Sequence, residues 1–322
     1  MVVRPVIAIT GAAWQVIGLR VVDRLGKGLR TPPRDALIAD ITPAELRGRA
    51  FGLQRGMDHA GAVLGPILAW WLLASGSANV RTVIGASIVP GVLVLVLAMW
   101  AVRDGGWRKR LGEVGEVRGG GDRAGQPPLA SSTSSSLPRP SRSSPLLAIS
   151  AFYLLRMPDT LIILRSQELG VPVTIVPLLW AAVHVVRSSS SFLGGAASDR
   201  LGPGRTMWVG WLVYALLAAG MARAGTAAAA WGLFLALGLV SGLTESPERA
   251  LVARLAGARQ GSGFGAYHGI TGFAALVGGL GLGGVFQRYG AATAFLASAA
   301  GGLALVLAWP LVSWNASPQV RG

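Results

Sequence analysis

The stretch from Val83 to Val102 contains no charged residue, and an uncharged run of about 20 residues is long enough to cross the hydrocarbon core of a bilayer. Comparable apolar segments fall at 15–38, 50–74, 80–102, 146–165, 173–197, 207–224, 228–252, 263–287 and 291–312, with a shorter one at 2–13. Only 13% of the residues are charged, about half the norm of soluble domains. Trp14, Trp100, Trp180, Trp208 and Trp309 sit near the ends of the apolar runs, where indole rings anchor spans at the headgroup level. These features predict an all-α membrane protein with about nine full transmembrane helices and one partial one. The lipid bilayer is thus its first partner.

The net charge is +15. A nucleic-acid surface would gather its Lys and Arg on one solvated face, whereas here they stand at the ends of spans, so nucleic acid is not expected. One set of loops holds Arg47 and Arg49, the basic residues around Arg108, Arg200 with Arg205, and Arg254 with Arg259. The opposite set holds isolated charges such as Arg81, Arg165, Arg223 and Arg288. The richer set is expected to face the cytoplasm, together with the C-terminus. There is no cysteine, and the three histidines stand alone on separate segments, so no thiolate or zinc site is expected. Gly26-Lys27-Gly28 lacks the spacing of a phosphate loop. No cofactor and no enzymatic centre are expected.

Residues 103–145 form a polar interval with a Ser/Pro-rich run from Ser131 to Ser144. Such composition cannot bury a core, so it reads as a flexible cytoplasmic linker between a helical bundle at 1–102 and a six-helix bundle at 146–322. The bundles share an internal repeat. Pro33-Arg34-Asp35-Ala36-Leu37-Ile38-Ala39-Asp40 aligns with Pro247-Glu248-Arg249-Ala250-Leu251-Val252-Ala253-Arg254. Phe51-Gly52-Leu53-Gln54-Arg55-Gly56 aligns with Phe264-Gly265-Ala266-Tyr267-His268-Gly269, and Gly65 with Gly278. The offset is 214 residues in the first block and 213 in the second. Two parallel copies joined by a linker are a transporter plan with its site between the halves. On that plan the chain supplies spans 3–12 of twelve, with two spans and most of a third expected upstream.

Ionisable residues at membrane depth are costly and mark cavities or buried pairs. Arg20, Arg24, Lys27, Thr31 and Arg34 recur at three- and four-residue steps on one helix face, with Asp23 in reach of Arg20 and Lys27. The next helix carries Arg55, Asp58 and His59 within one turn; Arg55 and Asp58 can neutralise each other, and Asp58 and His59 can carry a proton. Arg156 and Asp159 flank Pro158 and are expected to pair at i, i+3, and Arg187, His184, Glu245, Glu248 and His268 lie on later helices. Arg20, Arg55, Arg156 and Arg187 together would line a positive cavity suited to an anionic small molecule. Glu245, with no cation nearer in sequence than Arg249 at i+4, is a second candidate for proton coupling.

Gly195-Ala196-Ala197-Ser198-Asp199-Arg200-Leu201-Gly202-Pro203-Gly204-Arg205 resembles the Gly-x-x-x-Asp-Arg-x-Gly-Arg loop of the major facilitator superfamily, with Pro203-Gly204 interrupting its basic tail. Arg20 with Gly26 and Gly28 is similar to the family's fourth-helix pattern, and Gly61-Ala62-Val63-Leu64-Gly65-Pro66 resembles its fifth-helix exporter signature. The stretch Asp23 to Leu37 looks like a bacterial permease subgroup. The resemblance implies a two-bundle secondary transporter of a bacterial inner membrane, moving a small solute in exchange for protons. It tilts the expectation toward export, with uptake of an organic anion or a transport-inactive scaffold as alternatives. Asp199, Arg200 and Arg205 would form a gating loop that pairs with a neighbouring helix dipole or charge. Gly61 and Gly65 would admit a close helix neighbour beside a kink at Pro66.

Overall fold

The computed structural model describes residues 6, 10–76, 80–86, 88–103 and 140–314, and every regular element among them is helical. In chain order these are α1 (Ala13–Ile41), α2 (Arg47–Ala74), α3 (Val80–Ala86), α4 (Ile88–Arg103), α5 (Pro140–Leu155), α6 (Asp159–Glu168), α7 (Val176–Leu201), α8 (Pro203–Arg223), α9 (Ala227–Ala256) and α10 (Gln260–Trp314). The expected linker lies mostly outside the described residues, and α5 reaches back to Pro140 within its bounds. The expected short segment at 2–13 also lies largely outside them.

Among the described residues six helical stretches are long and apolar enough to cross a membrane, against the nine full spans expected. The difference has three local causes. The helix α1 carries too many charges, and α3 and α4 are short pieces on either side of residue 87. The third cause is α10, which contains two expected spans in one element: Gly290 adopts φ 85°, a left-handed conformation that a residue without Cβ enters at no steric cost. The arms on either side of Gly290 match the expected segments 263–287 and 291–312.

The chain divides into two compact units, Met1–Lys27 with Gly76–Leu137 and Gly28–Ser75 with Pro138–Gly322. In the first, α4 exposes Val89, Val92, Leu93, Leu97 and Trp100, an apolar surface that suits lipid. In the second, an aromatic core sits between α5, α8 and α10. Phe152 stacks on Trp211 at 5.6 Å and meets Tyr214 edge-on at 5.2 Å, while Trp211 meets Trp309 edge-on at 5.2 Å. The outer faces carry Leu193, Leu216, Phe273, Leu280 and Leu307, all exposed. So many large apolar side chains left on the surface suit lipid rather than water.

Within the second unit, α2 and α7 approach at glycines. A Cβ on Gly52 would lie 2.6 Å from Ser191 O, and one on Gly195 would lie 2.9 Å from Gly52 Cα. The hydroxyl of Ser188 donates across the same seam to Gly56 O at 2.8 Å. Helices in lipid gain by such contact, because lipid tails compete with every bulkier apolar side chain.

Candidate functional site

The centre of the second unit is built by the two copies of the repeat. Asp35, fully buried in α1, accepts from Arg249 Nε at 3.0 Å and lies 2.9 Å from His268 Nε2. Arg34 Nε donates to its other oxygen at 3.2 Å. Arg249 is itself buried, and its Nη1 donates to Glu245 O at 2.6 Å. A carboxylate and a guanidinium withdrawn from water hold together only with such geometry; removing Asp35 leaves Arg249 without an anionic partner among the described residues, while removing Arg249 leaves Asp35 to Arg34 and His268.

Asp35 and Arg249 are repeat mates, 214 residues apart. So are Phe51 and Phe264, both fully buried with ring centroids 5.8 Å apart. A third instance is Arg47, whose guanidinium donates to Ala39 O at 3.0 Å and to Ala253 O at 3.4 Å; those two alanines are also mates. In a pseudo-two-fold arrangement only residues at the axis meet their own counterparts. The axis therefore runs between α1 and α9 and between α2 and α10.

A second cluster adjoins the first. Arg55 Nη2 lies 2.6 Å from Glu245 Oε2, and Arg55 Nη1 donates to Asp58 at 3.3 Å. Asp58 also accepts from Arg34 Nη1 at 3.2 Å and from Gln54. His59 Nε2 is 3.8 Å from Glu245 Oε2, and His59 Nδ1 is 3.1 Å from His184 Nδ1. Two imidazole nitrogens at that distance share one proton, so a single donor serves the pair. Trp180 meets His184 edge-on, and Arg187 lies over the same indole at 5.7 Å.

The seventh expected span is broken at Arg156-Met157-Pro158, between α5 and α6. Proline removes a backbone donor and cannot continue the turn. The freed groups find side-chain partners: Met157 N donates to Tyr214 OH at 2.7 Å, and Ser298 Oγ donates to Leu155 O at 2.6 Å. Across this break the expected Arg156–Asp159 pair does not form. Asp159 instead takes Arg187 Nη2 at 2.9 Å on each oxygen. Among the described residues Arg156 makes no ion pair within 4.0 Å. Discontinuous helices of this kind recur at carrier binding sites, where the bared backbone lines a cavity.

At the end of the unit carrying Ile41 and Ala256, Asp199 caps α2. Its carboxylate accepts from Gly48 N at 2.7 Å and Arg49 N at 2.9 Å. The residue preceding α2 is Leu46, which has no side-chain acceptor, so the orphan donors of the first turn depend on another helix. Negative charge at a helix N-terminus is also favoured by the helix dipole. Arg200 and Arg205 are exposed and make no ion pair among the described residues, which leaves Asp199 alone of the three in contact with a helix end.

The structure thus brings Arg55, His59, Asp159, His184, Arg187, Glu245 and His268 into one connected polar cluster, with Asp58 on its exposed rim and Arg156 at its edge. Arg20 and Asp23 lie in α1, but their side chains fall outside the described residues. The expected positive cavity changes character, because Arg55 and Arg187 are matched by carboxylates. Glu245 is likewise paired, by Arg55 from the other copy. Gly61 and Gly65 meet nothing within 4 Å of an added Cβ among the described residues; the close approach falls earlier on α2, at Gly52. Sequence reasoning placed Glu248 in a span without giving it a role, and left out Asp35, Tyr153 and Tyr267. A signal was present: Arg34-Asp35 and Glu248-Arg249 occupy the same repeat positions with the charges in opposite order.

Residues 5–278 match the Major Facilitator Superfamily, and the chain belongs to that superfamily. An MFS-type transporter of Methanocaldococcus jannaschii is 27% identical over 244 residues, covering 72% of this chain and 56% of the relative. A protein of Mycobacterium tuberculosis is 31% identical over 99 residues, 31% of this chain and 24% of its own length. The multidrug resistance protein MdtH of Edwardsiella ictaluri is 37% identical over 67 residues, 21% of this chain and 17% of the relative. The chain therefore spans between about a sixth and just over half of these relatives.

Proposed function

We propose that this chain is a secondary transporter that moves a small solute by alternating access, in exchange for protons and in the export direction. The observation that carries the reading is the connected interior of carboxylates, guanidinium groups and imidazoles where the repeat copies meet, centred on the Asp35–Arg249 pair. Buried charges that bridge two halves favour one relative placement of the halves; a proton or a solute that weakens the bridge favours another. Export is supported by the likeness to a multidrug resistance protein and by the Gly61 to Pro66 pattern. The membrane is taken as a bacterial cytoplasmic membrane, with residues 103–145 and the C-terminus on the cytoplasmic side, which follows from the charge of the loops. The clasp of Asp199 on α2 would then close the cytoplasmic end and part in each cycle. Bundles at 1–102 and 146–322 joined by that linker complete the proposed plan.

One observation favours a second reading, uptake of an organic anion: Arg156 stands at the helix break with no ion pair among the described residues. Both readings are tested in proteoliposomes under an imposed pH gradient, with radiolabelled lipophilic cations, zwitterions and organic anions as probes. Export coupled to protons predicts gradient-dependent accumulation of at least one cation or zwitterion, abolished by a protonophore. Accumulation restricted to anions would favour the second reading. Flux no faster than in empty liposomes for every class would overturn both.

A further inference from the structure

Five acids of the polar interior and its closed end lie within 4.0 Å of a cation: Asp35, Asp58, Asp159, Asp199 and Glu245. Glu248 is different. It is fully buried, and among the described residues no cationic group lies within 4.0 Å of its carboxylate. Its Oε2 accepts from Tyr267 OH at 2.8 Å and Tyr153 OH at 3.0 Å. Its Oε1 is buried and has no hydrogen-bond partner among the described residues. We propose that Glu248 is the group that takes up and releases the transported proton, with Tyr153 and Tyr267 as its positioning residues. This assignment rests on the proton-coupled reading above.

The geometry explains why this acid and not its neighbours. Neutralising Asp35 would leave Arg249 as a buried cation without an anionic match, which is costly, and neutralising Glu245 would leave half-buried Arg55 with Asp58 alone. Neutralising Glu248 strands no cation and relieves an unmatched buried negative charge. The proton adds to the free Oε1; no other bond forms or breaks, and the carboxylate becomes a carboxylic acid. Both phenols already point at Oε2, which accepts two hydrogen bonds as a carboxylate oxygen and as the carbonyl oxygen of the acid. The cradle therefore serves either charge state without rebuilding.

The surroundings supply a route from charge to movement. Glu248 adjoins Arg249 on α9, so its charge bears on the guanidinium that grips Asp35 of α1. Tyr153 stands on α5 just before the helix break, and Tyr267 stands on α10 beside His268. The other ionisable groups facing the cluster are Glu245 on α9 and Arg156 at the break. With Glu248 ionised, its charge pulls on Arg249 from beyond 4.0 Å in competition with Asp35; with Glu248 neutral, that competition is gone. Uptake of a proton at Glu248 thus tightens the bridge between the repeat copies, and its release loosens it.

The test is infrared difference spectroscopy of the purified full chain between alkaline and acidic buffer, in H2O and D2O. The wild type is expected to gain a carboxylic-acid carbonyl band from a buried acid. Glu248→Gln should lose that band, while Glu245→Gln should keep it. Should Glu248→Gln fail to fold, Tyr153→Phe/Tyr267→Phe retains the acid and removes both donors to its carbonyl oxygen, so the band should move to higher frequency. A band that survives Glu248→Gln, or that stays in place without the two hydroxyls, overturns the assignment. Transport is a separate readout. Loss of all solute flux in a protein that keeps the band would count against the transport reading, while the band would still assign the proton to Glu248.

Discussion

The two copies of the repeat, α1 with α2 and α9 with α10, keep the same backbone positions and give them different duties. At the first aligned block the copies carry opposite charges, Asp35 against Arg249, and the mates bind each other at 3.0 Å. At the second, Phe51 meets Phe264, like against like. Further along, Arg55 binds Glu245 whereas its mate His268 binds Asp35. The third pair diverges most. A Cβ on Gly278 would lie 2.9 Å from Leu154 Cα, whereas one on Gly65 would meet nothing within 4 Å among the described residues. The difference teaches that symmetry in such a fold conserves where residues sit, while function is written in the places where mates are unlike. Two identical charges at the axis would repel; a complementary pair turns the same contact into a bridge that can be broken.

That contrast can be broken by mutation. The largest effect is expected at the axis: Asp35→Asn alone should cost about 3–5 kcal/mol of stability, because it strands buried Arg249, and Arg249→Gln should cost less, because Asp35 keeps Arg34 and His268. The double variant should cost well under the sum in thermal denaturation in detergent; strict additivity would mean that the mates do not interact. Next come the unlike glycines. Gly278→Val should destabilise by about 1–3 kcal/mol or more through overpacking against α5, with Gly65→Val within about 0.5 kcal/mol. Equal losses at both would erase the distinction between the copies. A smaller effect belongs to the clasp. Asp199→Ala removes the cap from α2 and should cost about 0.5–2 kcal/mol, seen as faster amide exchange at the start of that helix. No change in exchange there would mean that water serves the α2 terminus equally well.

Much of this was legible beforehand. Hydropathy placed α2, α7, α8 and α9 to within a few residues, since lipid allows no spanning alternative to helix here. The repeat aligned Phe51 with Phe264 before either was known to touch. The charged interior was harder to read. Arg156 and Asp159 looked like an i, i+3 pair, but Pro158 breaks the helix between them and hands Asp159 to Arg187. Glu245 looked free of cations because Arg55 is remote in sequence and near only once α2 and α9 share an interior. Local spacing can propose partners only along one helix; partners across the axis need the fold.

The most direct test of the account is whether α2 and α7 must part at the clasped end for transport to occur. The chain has no cysteine of its own, and Arg49 N stands 2.9 Å from Asp199 Oδ2, so Arg49→Cys/Asp199→Cys sets one thiol on each side of the clasp for oxidative cross-linking. Solute flux would be measured in proteoliposomes with the oxidised and then the reduced double variant. The account predicts no flux when cross-linked and recovery on reduction. Flux at the same rate in both states would contradict it.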